Sequence, residues 1–283
     1  MKKISLIVLS LAFAFAVGCK KEETATETVA QDTLGPTETQ SIATAKDSTV
    51  LFVARIVKNK QEALAQLKGA SPEKANEIYE QLFAKDMESL GTINTFEGNL
   101  LDTAYATDDP AVTTKLKVLE SKIKTAELEV WSIGEGMAVV RTVPNYYKSI
   151  FSGKVTADYD RYISLVAQEE KELWESDAAV AISWKDLGER VITWENFMAK
   201  YPESKLKKDA ESTYKMYRHA FLLGLDNTPV IEFTTNEMDE EAHKAFTAFA
   251  KNYPESVTTV YIQMLLEDVN NKDKVAQAVR TDF

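Results

Sequence analysis

Eight residues of this chain return almost intact further along it. Phe197-Met198-Ala199-Lys200-Tyr201-Pro202-Glu203-Ser204 is answered by Phe249-Ala250-Lys251-Asn252-Tyr253-Pro254-Glu255-Ser256, with Phe, Tyr, Pro, Glu and Ser in register 52 positions apart. Each shared residue has a mechanical job. The two aromatics, four apart, stack on one face of a helix's last turns. Proline cannot continue that helix, and it drives the residue before it out of the α region. Serine then caps a following helix by accepting a hydrogen bond from its free amides. Each copy therefore reads as a helix–turn–helix joint, with Phe197, Tyr201, Pro202 and Ser204 at the first and Phe249, Tyr253, Pro254 and Ser256 at the second.

The rest of the body carries matching punctuation. Ser71-Pro72-Glu73 combines an N-cap serine, a first-position proline and an acid in the first turn. Ala75, Ile78, Leu82 and Phe83 follow at helical spacing. Asp109-Pro110 repeats the start, with Leu116, Leu119, Ile123 and Ala126 as the next stripe. Between Val130 and Val143 the grammar changes to β-branched residues around Gly134-Glu135-Gly136, which predicts a short β-hairpin. Helices resume beyond Pro144. One is expected over Asp158–Trp174, carrying Tyr162, Val166 and Leu173. A second opens at Ser183-Trp184-Lys185-Asp186, a capping box with Asp for Glu, and runs through Leu187, Val191, Trp194 and Met198. Ala210, Tyr214, Tyr217 and Phe221 stripe a third, before a loop at Asp226-Asn227-Thr228-Pro229. Val50–Val57 stays open, because periodicity over eight residues does not separate a strand from the first turns of a helix.

The Tyr-Pro-x-Ser joint resembles the turn between helix pairs in tetratricopeptide-type lipoproteins of the bacterial outer-membrane assembly and cell-envelope machinery. The resemblance covers residues 183–270 and departs from that family in period, which is about 34 residues there. The fold class expected is mainly α: stacked, tetratricopeptide-like helical hairpins with one short β-hairpin near residues 130–143. The expected division is a helical region with that hairpin at 50–143 and a helical repeat domain at 144–283.

The N-terminus supplies an address. Lys2 and Lys3 precede an almost unbroken apolar run, Ile4–Val17, too short to span a bilayer comfortably and shaped like a secretory signal. It ends Ala16-Val17-Gly18-Cys19, which resembles a bacterial lipobox and implies a signal peptide over residues 1–18 and lipidation of Cys19. A plain cleaved signal with an incidental cysteine is the other reading. One acyl chain holds a protein only marginally; the two or three chains that the resemblance implies hold it durably. Residues 19–49 are rich in Thr, Ala, Glu and Ser and lack aromatics. They are expected to remain a disordered tether. Lys20-Lys21-Glu22-Glu23 resembles the signal that sends Bacteroidota lipoproteins to the outer face of the outer membrane; it also reads as a solvated charge cluster. The expected location is the outer membrane, facing periplasm or cell surface.

Charge and composition exclude more than they identify. Removing residues 1–18 takes away Lys2 and Lys3, moving the formal net charge from −11 to −13. So acidic a surface argues against nucleic acid as a partner. Cys19 is the single cysteine, so no internal disulfide and no thiolate metal site can form. His219 and His243 are the two histidines and do not stand at metal-ligand spacing. No phosphate-cradling glycine loop or nucleophile elbow occurs. No cofactor, metal or catalytic residue is expected.

Two surpluses remain. The acidic runs Glu169-Glu170 with Glu172, Asp239-Glu240-Glu241 and Asp108-Asp109 read as solvated helix faces or helix starts. Trp174, Trp184 and Trp194, ten residues apart, fall on two helices and read mainly as core. If some line the concave side of a helical array, they form a groove for a peptide or glycan, with Asn227 at its rim. The function expected is that of a non-catalytic, lipid-anchored scaffold for an envelope protein, peptide or polymer. The alternative is a surface nutrient-capture module or an all-helical glycan-active enzyme. A cleft with two converging carboxylates and a perturbed pKa would favour the enzyme.

Overall fold

The computed structural model describes the backbone of residues 37–281 and the side chains of residues 48–280. The expected signal, the lipidation at Cys19 and the tether up to residue 36 lie outside the described residues. Three helices come first: α1 (Thr37–Gln66), α2 (Pro72–Leu101) and α3 (Pro110–Ile123). A hairpin follows, β1 (Leu128–Gly134) against β2 (Met137–Thr142), then α4 (Tyr146–Phe151) and α5 (Ala157–Glu169). A two-residue hairpin, β3 (Glu175–Ser176) and β4 (Ala179–Val180), leads to α6 (Trp184–Lys200) and α7 (Lys207–Leu223). A third, β5 (Gly224–Leu225) and β6 (Thr228–Pro229), leads to α8 (Glu240–Asn252), α9 (Val257–Glu267) and α10 (Lys272–Thr281). The protein is mainly α, with the β-hairpin where β-branched residues and glycines announce it.

The helix starts follow the expected chemistry. Ser71 Oγ accepts from the Lys74 amide at 3.2 Å, and the Asp109 carboxylate from the Ala111 amide at 2.8 Å. Ser183 Oγ accepts from the Asp186 amide at 3.0 Å and donates to the Asp186 carboxylate at 2.6 Å. Asp186, one carbon shorter than Glu, thus closes the box on the serine hydroxyl.

Two expectations are corrected. The tether assigned to residues 19–49 does not extend over residues 37–49, because α1 begins at Thr37, directly after Gly35-Pro36 in the sequence. No Gly or Pro interrupts residues 37–49, and Thr49 is fully buried, donating to Glu97 of α2 at 2.7 Å. Val50–Val57 is thereby helical, with Val53 and Ile56 in the core. The helix expected over Asp158–Trp174 stops at Glu169. The Glu170 amide still reaches Val166 O at 2.9 Å; Lys171 and Glu172 then turn tightly, and Trp174 O accepts from Ala181 to extend the β3–β4 hairpin.

Three modules of one plan emerge: β-hairpin, helix, joint, helix. They are β1–β2 with α4 and α5, β3–β4 with α6 and α7, and β5–β6 with α8 and α9. In the two joints the tyrosines adopt nearly one conformation, Tyr201 at φ −126°, ψ 60° and Tyr253 at φ −130°, ψ 58°. Each tyrosine ring packs on the phenylalanine four residues back, at 5.2 and 5.0 Å. Ser256 is the N-cap of α9. Ser204 is not the N-cap of α7, which starts three residues later; its hydroxyl accepts from the Leu206 amide within an intervening turn. Both serines also fasten to acids elsewhere in the stack, Ser204 to Asp158 at 2.5 Å and Ser256 to Glu195 at 2.7 Å.

The hairpin turns stand side by side. The Asn227 amide donates to Ala178 O at 2.9 Å and its side chain to Asp177 O at 2.5 Å, while the Val180 amide reaches Thr228 Oγ1 at 2.8 Å. Gly134, at φ +95°, abuts Ser176 so closely that a Cβ there would sit 2.3 Å from Ser176 Oγ. α10 packs on α7 and α9, closing the C-terminal end of the file.

Candidate functional site

A groove of about 450 Å³ lies between α5 and α6. Helical spacing builds both walls. Arg161, Ser164, Leu165, Gln168 and Glu169 form one stripe of α5, continued by Glu172; Asp186, Glu189, Arg190 and Thr193 form one stripe of α6. Lys148 joins from α4. Below this lining the two helices are held by Tyr162, whose ring meets Trp194 at 5.4 Å and Phe197 at 5.9 Å.

Glu169 ties the groove to the core. Its carboxylate accepts from Trp194 Nε1 at 2.8 Å and from the Tyr217 hydroxyl at 3.1 Å. Arg190 donates to the same Tyr217 hydroxyl at 3.0 Å and approaches Glu172 at 3.9 Å. Burial pushes the Glu169 carboxyl up to about 7, against the opposing pull of Arg190. Glu170, beside it, is likewise raised to about 7 by burial, with Arg141 opposing. Arg141 donates to Glu170 O at 2.7 Å and lies over the Trp131 ring at 3.6 Å.

The solvated-face reading of Glu169 and Glu170 is therefore corrected: both are half-buried, because donors from α6, α7 and β2 come to meet them. For the other acidic runs the helix-start reading describes the geometry, with Asp109 and Asp239 as N-caps and Glu240 and Glu241 exposed.

The aromatic groove is corrected as well. Trp194 is fully buried, Trp174 stacks edge-on against Tyr217 at 5.1 Å, and Trp184 is half-buried against the core. None of the three lines the groove, whose one apolar lining residue is Leu165. Asn227 is not at its rim; its side-chain amide fastens one hairpin turn to the next. Phe197 and Phe249 are core, while Tyr201 and Tyr253 pack at the joints. His219 and His243 lie on α7 and α8, outside the groove.

Lys148, Arg161 and Arg190 were not legible as a site, since polar residues at helical spacing are equally the mark of a solvated face. No group of three or more His, Cys, Asp or Glu is placed to hold a metal among the described residues. Comparison with protein-family models, with curated proteins and with solved structures found no match to this chain.

Proposed function

We propose that this protein is a lipid-anchored scaffold of the bacterial outer envelope, related to tetratricopeptide-type lipoproteins, that binds an envelope protein or peptide through the α5–α6 groove. The observation that carries the reading is the groove itself: open, lined by charged and hydrogen-bonding side chains, and set in a stack of helical modules. The leader ending at Cys19 and the acidic run of composition support an extracytoplasmic address. Glu169 has the raised pKa of a general acid. Yet both its oxygens already accept hydrogen bonds from residues that hold the fold together, and this favours a structural role over an enzyme.

Two measurements test the reading. Cys19→Ala should move the protein from the membrane pellet to the soluble fraction and abolish acylation; a variant still pelleted and acylated defeats the anchor. The Lys148→Glu, Arg161→Glu double variant should lose a partner that wild-type protein retains after cross-linking in native membranes. Unaltered retention by a folded double variant defeats the groove.

A further inference from the structure

The groove is polarised along its length. α5 and α6 run antiparallel, with Glu169 opposite Trp194 and Tyr162 opposite Phe197. That register places Arg161 toward one end, and Glu172, Asp186 and Glu189 toward the other. Lys148 follows Tyr147, whose ring packs on Tyr79 as does that of Tyr159 in the first turn of α5. Among the described residues the Lys148 ammonium and the Arg161 guanidinium make no ion pair or hydrogen bond. At the acidic end Glu172 is mostly exposed and has only the 3.9 Å approach of Arg190. Ser164, Gln168 and Thr193 stand between the ends.

This lining selects a kind of ligand. With Leu165 as its one apolar residue, the groove has no pocket for a large apolar side chain. The hydroxyls and the amide between the ends suit the N–H and C=O groups of a main chain. Unpaired cations at one end suit a carboxylate, and an exposed acid at the other suits an ammonium. The eight-residue rise from Arg161 to Glu169 spans about 12 Å, with Glu172 beyond it, which an extended peptide covers in about four residues.

Resting on the reading that the groove is the partner site, we propose that it holds a short extended peptide with both termini free. The C-terminal carboxylate lies at the Lys148–Arg161 end and the N-terminal ammonium at the Glu172–Asp186–Glu189 end. The groove therefore takes peptide ends or released oligopeptides, and a blocked or internal segment binds poorly.

Calorimetric titration of the detergent-solubilised full chain with tetra-alanine tests this. Free tetra-alanine should bind, with N-acetylation and C-amidation each weakening it about tenfold, as loss of one charge-assisted contact predicts. Lys148→Glu with Arg161→Glu should abolish the preference for a free carboxylate, and Glu172→Gln should reduce that for a free amine. Arg161 and Glu172 are exposed and Lys148 is half-buried, and circular dichroism checks that each variant folds. Absence of tetra-alanine binding, or binding indifferent to the end groups or to these variants, overturns the proposal. If tetra-alanine fails while charge-dependent partner capture persists, the peptide class falls and the groove reading stands; loss of both sinks both.

Discussion

Trp194→Ala should destabilise the protein by on the order of 4 kcal/mol, read as a lowered urea midpoint, the range for emptying a fully buried aromatic site. The indole is the largest of the fully buried side chains and meets Tyr162 at 5.4 Å and Phe197 at 5.9 Å. Its Nε1 also donates to Glu169, so truncation leaves one oxygen of a half-buried carboxylate without its donor. Trp194→Phe separates the two effects, because it keeps most of the ring volume and removes only the donor. It should cost about 1–2 kcal/mol, close to the value of one charge-assisted hydrogen bond. A loss under about 1 kcal/mol for Trp194→Ala would place the indole outside the core.

The second large effect is pH dependence centred on Asp86, a fully buried acid in the middle of α2. Its oxygens receive long hydrogen bonds from Asn59 Nδ2 and the Tyr147 hydroxyl, each at 3.4 Å, and the buried Tyr146 hydroxyl lies close by. Lys85, its neighbour on α2, approaches Glu62; Lys60 on α1 pairs with Glu127 and lies over the Tyr146 ring. Burial raises Asp86 from 3.8 to about 7. The folded chain thus holds a proton that the unfolded chain releases near pH 4. Stability is fully present below that value and lost as pH rises through about 7. Glu169 and Glu170, raised from 4.5 to about 7, act in the same direction. The urea midpoint should therefore be higher at pH 5 than at pH 8. Asp86→Asn should stabilise the protein at pH 8, by up to about 4 kcal/mol on the scale of 1.36 kcal/mol per pH unit. It should also flatten the pH profile, whereas relief of net negative charge alone leaves the profile unchanged by this substitution. An Asp86→Asn protein less stable than wild type at pH 8 contradicts the assignment.

The legible parts of the fold were those set by local sterics. Pro202 and Pro254 end their helices whatever surrounds them, and Ser71, Asp109 and Ser183 cap within their own first turn. The first module has no echo in the sequence because its joint is written differently: Phe151-Ser152-Gly153-Lys154-Val155-Thr156 turns on Gly153 at φ +72° in place of Tyr-Pro-Glu-Ser. Hairpins two residues long leave no periodicity to read. The start of α1 is not legible, because Thr, Ala and Ser serve a disordered tether and a helix alike until Thr49 finds Glu97, 48 residues away. The burial of Glu169 is illegible for the same reason, since Trp194 and Tyr217 reach it from 25 and 48 residues along the chain.

Position-specific photo-cross-linking in intact cells tests the groove most directly. A benzophenone side chain at Gln168 or Thr193, on the two groove walls, should give a discrete adduct that disappears with Lys148→Glu and Arg161→Glu. The same group at Lys208 or Lys251, exposed and away from the lining, should give none. Adducts at Lys208 or Lys251 with none at Gln168 and Thr193 would place the partner elsewhere on the stack and contradict the account.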